Sequence, residues 1–248
     1  MIVILCHPGD AAAVWLGTTL QHLGIGGVEI VTVEQVVFNR RIVYRLSDGG
    51  DSGSIELADG RVLHSEKMTG LVNRVQYLPT QHFAAAAPAD RDYATAELSA
   101  FMLAWLNGTA ARVINPPLPF ALGGGVFQMP TAMHFASVAG LPTLPWCASA
   151  RDDLASVIGD SEIPMRESTH SSLVFEGRVY GPLLPSGLRD GCRQLAALLG
   201  VPLLQILFNR SSEHGWRFAA ATSAVDFRIG GRPLAVALAR ELKRSAAA

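Results

Sequence analysis

The chain has 248 residues, enough for one large domain or two smaller ones. Hydrophobic residues make up 49% and charged residues 17%, so a sizeable core is available, and a net charge of −1 with no basic stripe gives no electrostatic case for nucleic acid. No apolar run approaches the roughly 20 residues a membrane span needs, and the three separated cysteines, Cys6, Cys147 and Cys192, fit a reducing cytoplasm better than a disulfide framework.

Ile2 to Cys6 is short and rich in β-branched residues, the mark of a buried parallel strand and not of a signal peptide. His7-Pro8-Gly9-Asp10 turns it, and Asp10 can cap a helix running to about His22. Gly24, Gly26 and Gly27 break that helix, and Val28 to Val33 follows as a second strand, completing a βαβ start. These glycines follow the helix, so they are not a dinucleotide fingerprint. Arg41 to Leu46, Ser54 to Leu57 and Val62 to His64 alternate as strands, the last two joined by an Asp59-Gly60 turn. This insert is expected on the edge of the main sheet. Leu71 to Val75, within GLVNRV, is a further apolar strand that ends in Asn73-Arg74.

Asp90 to Pro117 organises the N-terminal half. Tyr93, Ala96, Leu98, Phe101, Met102, Trp105 and Leu106 recur at helical spacing, with Asp90 as the expected cap and Gly108 as the stop. Phe101 and Trp105 are expected to be buried against the sheet. Arg112 to Ile114 reads as a strand that Asn115-Pro116-Pro117 ends abruptly. In open α/β sheets ligands bind at that carboxyl edge, so Arg74 and Asn115 point to a shared cleft.

Gly123 to Gly125 opens a helix from about Phe127 to Ala139, stopped by Gly140, and a short helix is expected over 150–158. Ser171 to Phe175 and Arg178 to Tyr180 flank Glu176-Gly177, a tight hairpin signal. Ser186 is the expected cap of a helix that ends at Leu199, with Gly200 as its stop. Pro202 to Phe208 and Gly215 to Ala221 are strands joined by the polar turn Asn209 to His214, and Arg232 to Lys243 is the final amphipathic helix.

Each candidate side chain has a structural alternative. Arg74 can hold a carboxylate or phosphate with its two-pronged guanidinium, or pair internally with Asp92 or Glu97. Asn115 can present its amide to a ligand or cap its own turn. Asp226 and Arg228 lie two apart and share a face if the segment is extended; they can bind a substrate carboxylate or form a salt bridge that locks the loop onto the last helix. Cys6, beside His7 and Asp10, ends an apolar strand and reads as an inert buried thiol. Gly123 to Gly125 is followed by no lysine, so it is a loop and not a P-loop. His134, His170 and His214 lack zinc-site spacing, and no Gly-x-Ser-x-Gly elbow anchors a hydrolase triad.

The order of these segments resembles the ATP-grasp superfamily, near the RimK-like and peptide-modifying ligases. GLVNRV, the helix carrying Asp92, Tyr93 and Glu97, and VINPP resemble the pre-grasp domain. Ala139 to Thr143 resembles the entry to the first ATP lobe; LVFEGRVYG, AALLGVPLLQILF and WRF resemble parts of the second. The resemblance implies an α/β protein: a mostly parallel pre-grasp-type domain over 1–140, then a reduced α+β ATP-grasp-like lobe over 141–248.

The departures from that pattern decide the functional expectation. The family carries a Glu-x-Asn pair on its last strand that holds magnesium on the ATP phosphates, and aligning on Trp216 and Phe218 puts Ala220 and Thr222 there. A hard cation wants carboxylate oxygens, which neither residue has. The family's phosphate-binding lysines are missing too, since no lysine lies between Lys67 and Lys243. The stretch from Ala150 to Ser172 is short for a full first ATP lobe. Phosphoryl transfer depends on such metal and cationic groups.

The expected protein is therefore an ATP-grasp-like pseudoenzyme with no metal or cofactor. It binds a small acidic ligand or a peptide through Arg74, Asn115, Asp226 and Arg228, or it partners an active modifying enzyme. It is expected to be cytoplasmic, without nucleic-acid or membrane partners, and compatible with a homodimer. The alternative is a divergent carboxylate–amine or carboxylate–thiol ligase that uses Mg-ATP, with metal ligands such as Glu176, Glu213 or Asp226.

Overall fold

The computed structural model describes residues 1–45, 52–109, 111–119, 121–125, 128–143, 169–211 and 215–244. The chain forms two compact units, Met1–Gly125 with Gly231–Ala248, and Val126–Gly230.

The first unit is built on a four-stranded parallel sheet of β1 (Ile2–Cys6), β2 (Val28–Thr32), β6 (Gly70–Asn73) and β7 (Arg112–Ile114), in the order β2-β1-β6-β7. All five residues of β1 are buried, which is why it reads as an unbroken apolar run and not as an alternation. Helix α1 (Ala11–His22) starts where Asp10 accepts the Ala13 N–H at 3.0 Å, as the sequence predicts. The second strand is one residue shorter than expected. Thr32 and Gln35 form a reciprocal capping box that turns Val33 into the first residue of helix α2 (Val33–Val37).

The insert does not extend the edge of this sheet. Strands β3 (Arg41–Arg45), β4 (Ser52–Glu56) and β5 (Val62–His64) make a separate antiparallel sheet. Its apolar face, with Ile55, Leu57 and Leu63, is buried in the same core as Leu5, Leu71 and Trp105. A sheet with one apolar face buries it by packing and needs no hydrogen-bonded neighbour to do so.

Helix α3 (Pro88–Gly108) begins before Asp90, which lies in its first turn. Proline suits the first helical position, where its missing N–H has no intrahelical partner anyway. Only the last turns of the expected apolar stripe are inside: Met102, Trp105 and Leu106 are buried, whereas Tyr93 is 69% exposed. Phe101 lies at the border of that stripe, so it is partly buried and not fully covered as expected. Its ring meets Tyr44 edge-on at 6.3 Å, and the Tyr44 hydroxyl donates to the Ala104 carbonyl at 3.1 Å.

The second unit holds an antiparallel sheet in the order β11-β10-β8-β9, made of β8 (Thr169–Phe175), β9 (Arg178–Tyr180), β10 (Leu203–Ser211) and β11 (Gly215–Thr222). Glu176 and Gly177 both have positive φ, 47° and 68°, the geometry of the tight hairpin that their sequence predicts. Helices α4 (Met129–Val138) and α5 (Ser186–Leu199) supply Ala132, Met133, Cys192 and Leu195 to a core shared with Leu204, Ile206, Phe208 and Phe218. Ser186 is the first helical residue and not the cap, a place taken by Pro185, while Gly200 ends the helix at φ 65° as expected.

Helix α6 (Phe227–Lys243) is two pieces joined at Gly231, whose φ of 57° and ψ of −158° are not helical: the expected helix from Arg232 to Lys243, and a short turn before it that was not expected. Its last turn packs within the first unit. A Cβ on Gly70 would lie 2.8 Å from the Leu242 side chain, and buried Glu241 pairs with Arg112 at 2.7 Å. The expected helix over 150–158, the start at Phe127 and the turn residues Glu213 and His214 lie outside the described residues. Among the described residues no helix is long and apolar enough to cross a membrane.

Trp105 is 1% exposed, and its indole N–H has no hydrogen-bond partner among the described residues. Trp105→Ala should cost about 3–5 kcal/mol in urea unfolding. Trp105→Phe should cost less, because it also removes the orphaned donor. A loss below about 1 kcal/mol for the alanine variant would mean that the core does not depend on this helix.

Candidate functional site

Strands β1, β6 and β7 run parallel side by side, so their carboxyl ends gather at one edge of the sheet. His7 and Asp10 follow β1, Asn73 and Arg74 end β6, and Asn115 follows β7. The sequence-predicted residues Arg74 and Asn115 therefore occupy the same edge.

Arg74 is engaged by neither Asp92 nor Glu97. Its Nε donates to Asp10 Oδ2 at 2.6 Å and its Nη2 to Oδ1 at 3.1 Å, a two-pronged pair with side-chain exposures of 10% and 14%. Asp92 is instead within 3.8 Å of Arg91. Asp10 thus serves twice, as cap of α1 and as partner of Arg74. Burial, the largest single influence on its carboxyl, pushes the pKa up. The Arg74 hydrogen bond and charge, with the N–H groups of Ala12 and Ala13, together outweigh burial and hold it below the ordinary 3.8.

Asn115 is 2% exposed and sits in the left-handed region at φ 56°. Its carbonyl accepts from Asn73 Nδ2 at 3.0 Å, and the same amide group also donates to the Leu122 carbonyl. Asn73 Oδ1 accepts the Val75 N–H at 3.1 Å. One buried side chain thus ties the end of β6 to the bend after β7 and to the glycine loop. Gly124, at φ 78°, comes so close to Asn115 that a Cβ would lie 2.9 Å from its backbone. Asn73 was legible only as a strand end.

Cys6 behaves as the sequence suggests. It is 2% exposed, and burial, reinforced by the nearby carboxylates, pushes its thiol up to about 11, so it is held as the neutral thiol at neutral pH.

In the second unit, Asp226 and Arg228 are not on an extended segment, because α6 begins at Phe227. They pair with each other through Nε at 2.8 Å and Nη2 at 2.7 Å. The Asp226 N–H donates to Gln205 Oε1 at 2.8 Å, which fixes the turn on the sheet.

Ala220 and Thr222 lie on β11 opposite Leu207 and Gln205. Leu204, Ile206 and Phe208 point into the core, so Leu207 and Gln205 belong to the other face, and Ala220 and Thr222 with them. Between the Phe208–Phe218 and Leu207–Ala220 pairs the register slips by one residue at Ala219. This bulge returns Ala221 to the core side. Ala220 has no side-chain oxygen to offer, and the Thr222 hydroxyl accepts the Ala224 N–H at 3.1 Å. This donor set does not fit a magnesium ion.

Removing one member of a buried ion pair strands the other charge, so Asp10→Ala should destabilise the protein by about 3–5 kcal/mol. The depressed carboxyl also sets an acid limit. Its stabilisation is complete above 3.8 and is lost as pH falls through the lower folded value. Urea unfolding from pH 7 to pH 3 should show this acid loss in the wild type and not in Asp10→Asn. Equal slopes in the two proteins would contradict the assignment.

No family model matches the sequence, and no curated protein matches it. Solved structures do. The macrocyclase MdnC from Microcystis aeruginosa MRC, bound with precursor peptide MdnA, aligns with a TM-score of 0.73 at 11% identity, over 97% of this chain and 98% of that one. A Chryseobacterium gregarium RiPP-associated ATP-grasp ligase, in complex with ADP and a leader and core peptide, aligns with a TM-score of 0.69 at 11% identity, over 97% and 96%. The ATP-grasp ligase PsnB, complexed with precursor peptide PsnA2 and AMPPNP, aligns with a TM-score of 0.69 at 16% identity, over 98% of each chain. At such identities the likeness is one of fold, and the chain has an ATP-grasp-like fold.

Proposed function

We propose that this chain is an ATP-grasp-like protein that has given up ATP chemistry and binds a peptide or a small acidic ligand, alone or beside an active modifying enzyme. In this reading residues 1–140 act as the pre-grasp-like part and 141–248 as the reduced ATP-grasp-like part. Helix α4 belongs to the first by sequence and to the second core by packing. Arg74 and Asn115 are the candidate ligand-binding residues of the first unit, and Asp226 and Arg228 are those of the second. The protein is read as cytoplasmic and able to form a homodimer.

The observation that carries this reading is the pair Ala220 and Thr222. They stand on the sheet face away from the core, one without a side-chain oxygen and the other with its hydroxyl accepting a backbone N–H. Magnesium neutralises charge that develops on the transferred phosphoryl group, and these side chains give it no anchor. Peptide binding is supported by the structural neighbours, which are peptide-modifying ligases seen with precursor peptides.

The alternative is a divergent ATP-dependent ligase that joins a carboxylate to an amine or a thiol. What favours it is that PsnB has been seen with magnesium and ADP. Its metal ligands here would have to come from Glu176, Glu213 or Asp226.

The purified protein should release no ADP from Mg-ATP with any mixture of candidate acids, amines and peptides. Ala220→Glu combined with Thr222→Asn should strengthen Mg-ATP binding. ADP release by the unmodified protein that depends on an added acid or peptide would overturn the reading and establish the ligase.

A further inference from the structure

His7 makes an unusual pair of contacts at the strand edge. Its Nε2 accepts the backbone N–H of Gln76 at 3.0 Å, and its ring stacks on Tyr77 at 4.1 Å and 19°. A ring nitrogen that accepts carries no proton, so the neutral imidazole must hold its hydrogen on Nδ1. That Nδ1 is buried with no hydrogen-bond partner among the described residues. One side chain from the loop after β1 therefore holds the two residues that continue the chain beyond Arg74 and Val75.

We propose that His7 is an acid-operated clasp on the rim of the strand-edge ligand site, closed while it accepts the Gln76 N–H and opened when the ring is protonated. Protonation places an N–H of the ring against an N–H of the backbone, so the bond is exchanged for a repulsion. The consequences reach the rest of the rim. The Gln76 side-chain amide packs against Gly123, and Gly124 lies directly against the Asn115 bend. The link to ligand binding rests on the function proposed above; the clasp itself does not.

The charges around the ring set when it opens. Burial opposes the imidazolium most strongly, and the Arg74 guanidinium adds to that. The carboxylates of Glu34 and Asp10 favour it, and Glu34 also has a buried Oε2 without a hydrogen-bond partner among the described residues. The neighbouring Cys6 thiol is neutral throughout. Burial prevails, and the ring titrates below its ordinary 6.5. The clasp is closed at neutral pH and opens as pH falls below that value. Because the folded state resists this proton, the stability that depends on neutral His7 is complete above 6.5 and declines on acidification.

The test uses the full chain labelled with ¹⁵N. At pH 7.5, long-range imidazole correlations should show His7 protonated on Nδ1 and bare on Nε2. The Gln76 amide and the Tyr77 ring signals should then move together in one titration below pH 6.5. His7→Phe keeps a ring to stack but removes the acceptor, so exchange of the Gln76 amide should quicken about tenfold at pH 7.5 and lose that titration. A proton on Nε2 at pH 7.5, or a Gln76 amide unmoved through the titration, overturns the clasp. A short glutamate-containing peptide is titrated in parallel at pH 7.5 and pH 5.5. Affinity that changes with the Gln76 signal supports the coupling. Affinity that stays constant while the clasp opens refutes it. No peptide binding at either pH overturns the peptide-binding part of the proposed function and leaves the clasp to be judged on the imidazole and amide signals.

Discussion

A carboxylate and a guanidinium held almost out of water fix the end of the parallel sheet. Asp10 caps the helix that leaves β1, and its two oxygens take both prongs of Arg74 at the end of β6. Neither charge is tolerable there alone, since an unpaired buried ion loses its hydration without compensation. The pair therefore sets where α1 begins and which way the β6 loop leaves the sheet. Asn73 does the same between β6 and the bend after β7, through neutral hydrogen bonds to two carbonyls. The edge where an open α/β sheet would receive a ligand is thus already a connected polar network, and a ligand carboxylate aimed at Arg74 must compete with Asp10.

The second unit presents a different balance. Its sheet keeps the apolar face that α4 and α5 cover, and it keeps a bulge at Ala219, a feature often found beside active sites. On the opposite face Ala220 and Thr222 present no carboxylate to a hard cation. The core that holds this strand does not depend on the residues at those two positions.

Much of this was legible locally. Continuous apolar runs marked β1 and β6, the Glu-Gly turn marked the β8–β9 hairpin, and Gly200 marked the end of α5, because each signal lies within a few residues of its effect. What was not legible depended on the order of strands. Asp10 and Arg74 are 64 residues apart and meet only because β1 and β6 are neighbours. The same holds for Asn73 with Asn115, and for Gly70 with Leu242. The separate sheet of the insert was missed because an alternating strand predicts an apolar face but not which surface covers it. The exposed first half of α3 was missed because small and aromatic residues there repeat at helical spacing, while no element among the described residues covers them. The bulge at Ala219 left no trace in a run of alanines.

The central claim is that the fold has been kept without its metal-dependent nucleotide site. Thermal unfolding in ATP, with and without magnesium, tests it most directly, because any ligand that binds the native state must stabilise it, by about 2.7 kcal/mol at a hundredfold excess over its Kd. The account predicts the same Tm with ATP alone and with Mg-ATP. A rise in Tm that requires both ATP and magnesium would contradict it.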